Sequence, residues 1–116
     1  MKNQTYRMTM LFDFYGEILT ERQKEFFDLY YNEDLSLGEI AENSGITRQG
    51  VRDVIVRAEG VMQEIEDKTG LIRRFREHLE AVAEMEVILA KLSEQTEGEA
   101  RALTEQLSET LNKLKG

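Results

Sequence analysis

Thr47, Arg48, Gln49 and Arg52, with Arg57 further along, are the side chains of this sequence best suited to recognition. Arginine makes paired hydrogen bonds to guanine edges and to phosphates, and glutamine does the same to adenine. At the first turn of a helix such side chains point into a major groove, and free backbone N–H groups there suit a phosphate. Arg48 and Arg52 stand one turn apart on one face. A competing use of both arginines is in surface ion pairs with Glu39, Glu42 or Asp53.

Other chemistry finds little support. His78 is the single histidine, between Glu77 and Leu79, with no HExxH spacing around it. Cysteine is absent, which removes thiolate nucleophiles, disulfides and cysteine metal sites. Glu80, Glu84 and Glu86 read as a solvated helix face. Gly45, Gly50, Gly60 and Gly70 fall singly, so no phosphate-cradling loop appears. The expectation is a protein that is not an enzyme and needs no cofactor and no metal.

The recognition residues need two helices to hold them. The stretch LGEIAENSGITRQGVRDVIV, Leu37 to Val56, has the required pattern. A helix-turn-helix wants a small residue where its helices cross, and Ala41 is there. Its tight turn wants a residue at ease with positive φ, and Gly45 follows four residues later. Ile40, Ile46, Val51 and Val54 are spaced to lock the two helices together, and Thr47 is placed to cap the second. Gly50 sits in the first turn of that helix, where glycine costs about 1 kcal/mol relative to alanine.

Around this motif the spacing predicts further helices. One covers Tyr6 to Tyr15 and ends near Gly16. Thr20 and Gln23 form a capping box that opens a helix from Glu21 to about Tyr31, burying Phe26, Phe27, Leu29 and Tyr30. Asn32, Glu33 and Asp34 break it. Ser36 and Glu39 form a second box for a helix to about Asn43, and the recognition helix runs from Arg48 to about Lys68, stopped by Gly70. From Leu71 to Leu92 apolar residues recur at steps of three and four. Thr96 and Glu99 predict a third box, followed by a helix striped with Leu103, Leu107, Leu111 and Leu114. Two such helices suggest an antiparallel hairpin. Its stripe is either a packing face within the chain or a seam for a second chain.

The fold class expected is therefore all-α: a helix-turn-helix core over residues 1–70, followed by a C-terminal amphipathic helical hairpin over residues 71–116, for packing or oligomerisation. The length, 116 residues, allows a modest core, and a chain without proline favours helices joined by short turns. Net charge is −8, unlike the basic footprint of a strong non-specific nucleic-acid binder, so the local placement of arginines matters more than the mean. No signal peptide and no membrane span are visible, which points to the cytoplasm.

The run LTERQKEFFDLYYNEDLSLGEIAENSGITRQGVRDVIVRAE, Leu19 to Glu59, resembles region 4 of bacterial sigma factors. With the preceding LFDFYGEIL, and with YYNEDLSL and ITRQGV, it looks like the YlxM/p13 family of small bacterial helix-turn-helix proteins. The resemblance covers most of residues 6–75. It implies a regulatory or accessory role in the signal recognition particle pathway. The chain is too short for a whole sigma factor, so the likeness argues for shared architecture and not for shared activity.

Two readings of function follow. In the first, the chain binds DNA or RNA (signal recognition particle RNA included) through Thr47, Arg48, Gln49, Arg52 and Arg57. In the second, it is a protein-interaction module, motivated by net charge −8 and the apolar C-terminal helices. Signal recognition particle proteins or a second copy, in a homodimer, would then be its partners.

Overall fold

The computed structural model describes residues 2–115, with side chains from Thr5 onward. These residues form six α-helices and one 3-10 turn: α1 (Lys2–Tyr15), the turn Gly16–Ile18, α2 (Glu21–Tyr31), α3 (Leu37–Ser44), α4 (Arg48–Thr69), α5 (Leu71–Glu94) and α6 (Gly98–Leu114). The chain divides into two compact units, residues 1–72 and 73–116.

In the first unit α4 is the central rod, and α1, α2 and α3 pack on it. Two apolar clusters hold the unit together. One gathers Met8, Leu11, Tyr15, Leu19, Phe27, Ala58, Met62 and Ile72. The other gathers Phe26, Ile40, Ala41, Val51 and Ile55. Phe26 and Phe27, adjacent on α2, each enter a different cluster and so join the two. Phe27 stacks on Phe12 with ring centroids 4.7 Å apart and meets Tyr31 at 4.5 Å. Burying one such side chain contributes about 1.5–3 kcal/mol. Leu29 and Tyr30, expected in the core, are only half-buried at its margin.

Local chemistry sets the helix ends. Thr20 with Gln23 and Ser36 with Glu39 both form reciprocal capping boxes, as their spacing predicts. Between α2 and α3 the chain reverses through Asp34, whose φ is 59°, a left-handed conformation that a short polar residue tolerates. Gly70 closes α4 in the same conformation, at φ 61°. The Glu66 carboxylate then reaches past it. Its Oε1 accepts the Tyr15 hydroxyl at 2.7 Å and the Ile72 N–H at 3.0 Å, so one side chain ties α1 to α4 and caps the start of α5. Helix α1 starts at Lys2, earlier than the apolar pattern from Tyr6 indicates, because its first residues carry no periodicity to read.

The second unit is an antiparallel hairpin of α5 and α6. Its interior is small: Val82, Leu89 and Leu111, with the buried Thr104 hydroxyl donating to the Arg101 carbonyl at 2.7 Å. Lys115 and Glu86 pair across the hairpin at 2.8 Å. One expectation fails here. Thr96 and Glu99 make no capping box. Glu97 is the N-cap, without a side-chain bond, which puts Glu99 at the second helical position instead of the third. Thr96 instead closes the preceding helix, its hydroxyl donating to the Leu92 carbonyl at 2.9 Å. The leucine stripe of α6 divides: Leu111 is buried, while Leu103, Leu107 and Leu114 are exposed.

Candidate nucleic-acid interface

Helices α3 and α4 meet at Gly45, whose φ is 70°. A β-carbon there would strain the backbone, although nothing lies within 4 Å to obstruct it. The N–H groups of Gly45 and Ile46 both donate to the Ala41 carbonyl, so the first helix ends with its orphan acceptor satisfied twice. Ile40, Ala41 and Val51 close the crossing as buried contacts, while Ile46 and Val54 are half-buried at its edge. This is the geometry of a helix-turn-helix, with α4 as the second helix.

The exposed face of α4 follows from its start. Thr47 accepts the Gly50 N–H at 3.0 Å and thereby caps the helix, leaving its hydroxyl proton free to donate outward. Thr47, Arg48, Gln49 and Arg52 are all exposed. An α-helix advances about 100° per residue, so Arg48, Arg52 and Val56 descend one face, with Gln49 beside them. Arg57 is exposed too, but half a turn round from Arg48, so the first four residues form one group and Arg57 stands apart.

Electrostatics separate this face from the chain as a whole. Residues 1–72 carry eight Lys or Arg against fourteen Asp or Glu, yet residues 43–58 carry three arginines against the single Asp53. That carboxylate accepts the Gln49 amide at 2.9 Å. None of the ion pairs found among the described residues engages Arg48, Arg52 or Arg57. The Arg48 side chain lies back over α3, its Nε 3.6 Å from where a β-carbon on Gly38 would stand. Of the nearby acids, Glu39 is occupied with the Ser36 cap, whose backbone N–H holds its carboxyl below the usual carboxylate range. Glu59, further down α4, accepts the Tyr31 hydroxyl.

The structure adds residues that the motif did not single out. Val56 is 46% exposed at the end of the Arg48–Arg52 series, where an apolar side chain suits a thymine methyl. Beside it a groove of about 200 Å³ is lined by Tyr30, Leu37, Arg52, Val56 and Glu59. The four-residue step from 48 to 52 to 56 was the signal for Val56. In the hairpin unit, Arg73, Arg74 and Arg76 surround Phe75 in the first turns of α5, a basic run with an aromatic inside it that composition alone could have flagged. Among the described residues no group of His, Cys, Asp and Glu is placed to hold a metal ion, and no helix is long and apolar enough to cross a membrane.

Comparison with known proteins agrees with this geometry. Residues 2–110 match the family described as "Putative helix-turn-helix protein, YlxM / p13 like". The chain belongs to this family. Among its relatives is a UPF0122 protein of Bacillus mycoides, 45% identical over 91 residues, which span 78% of this chain and 83% of the relative. A UPF0122 protein of Bacillus thuringiensis is 44% identical over the same shares. Another, from Desulforamulus reducens, is 46% identical over 80 residues, 69% of this chain and 68% of the relative. The family is thus one of helix-turn-helix proteins.

Proposed function

We propose that this chain is a regulatory protein that binds nucleic acid through the start of α4, with Arg48 and Arg52 on phosphates or guanine edges, Gln49 beside them and Thr47 on a phosphate. The observation that carries the reading is the capped, glycine-turned α3–α4 pair presenting two arginines one turn apart on a face with one acid. Arg57 contributes a peripheral backbone contact. The YlxM/p13 resemblance suggests the setting, an accessory or regulatory role in the signal recognition particle pathway in the cytoplasm. That makes the particle's RNA the first RNA to test and leaves DNA as the natural duplex target of the fold.

The test is a fluorescence anisotropy titration against signal recognition particle RNA and against a DNA duplex, at low and moderate salt. Salt-sensitive binding to either probe is expected, weakened at least tenfold in the Arg48→Ala/Arg52→Ala double variant. Equal binding by the wild type and the double variant would overturn the assignment of the site.

A second reading is supported by a different observation, the exposed leucines of α6 together with net charge −8. Here the chain is a protein-interaction module that keeps a helix-turn-helix fold without using it on nucleic acid, and signal recognition particle proteins are among its partners. It expects a complex indifferent to the loss of Arg48 and Arg52.

A further inference from the structure

The hairpin has two unlike faces. On α5, Met85, Ile88 and Leu92 lie to one side of the buried Val82–Leu89 line, and on α6, Leu103, Leu107 and Leu114 lie to one side of Leu111. In an antiparallel pair the flanks of the same rotational sense come to the same face. All six side chains therefore form one broad apolar surface, each between 41% and 61% exposed. The opposite flanks bring Glu86, Ser93, Glu105, Ser108 and Asn112 around a hollow floored by Leu89 and Ala90. Polar side chains rim that second face. Nothing in the unit satisfies the first.

We propose that this apolar face pairs with the same face of a second copy of the chain, closing a four-helix bundle from two hairpins. Size is the first argument. The unit has 44 residues and an interior of three aliphatic side chains. Units this small need disulfides, a metal or oligomerisation, and the sequence has no cysteine. Area is the second. A two-helix layer about 25 Å long and roughly 20 Å across projects to about 500 Å², within a factor of two of the ~800 Å² per partner that a specific pair buries. Charge is the third, and it selects a copy over a foreign partner. The rim carries both signs on both helices, Glu84 and Lys91 on α5 and Glu99 and Lys113 on α6. A twofold contact requires such a rim, since each edge must meet its own replica. A strongly acidic or basic partner would have left one sign. Pairing stands independently of the nucleic-acid reading, because it uses none of the α4 side chains.

The experiment is sedimentation equilibrium of the full chain over a dilution series. Twice the 13.5 kDa chain mass is expected at the concentrated end. Leu103→Glu/Leu107→Glu is expected to be a monomer of unchanged helix content, because both leucines lie outside the hairpin interior, and Val87→Glu, on the far side of α5, is expected to remain a dimer. A wild type that is monomeric at about 100 µM overturns the proposal, and so does a double variant that pairs as tightly as the wild type. If the double variant loses helix content, the single variants Leu107→Gln and Ile88→Gln decide. Dissociation at tenfold or greater higher concentration than wild type supports the seam, and unchanged dissociation overturns it. Anisotropy with the DNA and RNA probes on the same samples keeps a failure of pairing distinct from a failure of nucleic-acid binding.

Discussion

The two units are made of the same helical material and use it differently. In residues 1–72, aromatic rings knit four helices through two clusters, and nearly every apolar stripe meets another stripe. In residues 73–116 two long helices share three buried side chains and turn a wider apolar face to solvent. Periodicity is equally good in both. What differs is the supply of partners: α4 is packed by three helices, while α5 and α6 have only each other within their unit. An amphipathic stripe says that a surface will be covered and leaves open by what.

The contrast can be tested because every tyrosine, Tyr6, Tyr15, Tyr30 and Tyr31, lies in the first unit. Near-ultraviolet circular dichroism therefore reports that unit, and far-ultraviolet dichroism reports both. Phe27→Ala should have the largest effect, about 3–5 kcal/mol for a fully buried ring, read as a loss of the tyrosine signal at lower urea. Leu111→Ala should lose helical signal early and leave the tyrosine transition in place. If both variants shift both signals together, the units are one cooperative body and the contrast fails.

A smaller effect is expected at Tyr31. Its hydroxyl donates to the Glu59 carboxylate, and burial, with that carboxylate second, raises its pKa above the ordinary 10.0. A tyrosine whose folded pKa exceeds its unfolded value contributes stability that is whole below pH 10 and is lost as the pH rises beyond it. Tyr31→Phe should cost about 1–3 kcal/mol at neutral pH, leaving Glu59 short of a donor, and should flatten the alkaline limb of the near-ultraviolet transition. An alkaline limb as steep as that of the wild type would remove Tyr31 from the account. The smallest effects belong to two glycines. Gly45 and Gly98 both hold positive φ with open space where a β-carbon would go, so alanine at either should cost only the backbone term, about 1–2 kcal/mol. Gly45→Ala should appear in the tyrosine signal and Gly98→Ala only in the helical one.

Much of the first unit was legible because its signals are local. Thr20 with Gln23 and Ser36 with Glu39 satisfy backbone groups three residues away, and Gly45 answers to its own φ, so no distant neighbour can overrule them. The same local pattern misleads at Thr96 and Glu99, where the spacing is right but the helix begins one residue later, after Thr96 has already closed α5. The leucine stripe of α6 was visible, but not which of its members would pack, because Leu111 meets Val82 and Leu89 across the hairpin while Leu103, Leu107 and Leu114 rotate past them. In α4 the exposure of Thr47, Arg48, Gln49 and Arg52 could be read from spacing. The capture of Asp53 by Gln49 could not, since spacing also places arginines near that carboxylate and only the rotamers decide.

A chain without proline, wound into helices joined by short turns, also keeps particular time. It has no prolyl bond to wait for, so the isomerisation that holds back many proteins for tens of seconds has no counterpart here. Most of its contacts join residues near in sequence, the topology that folds in microseconds to milliseconds. The pairing proposed for the two hairpins would then be the slow event left, and unlike folding its pace would depend on the concentration of the chain.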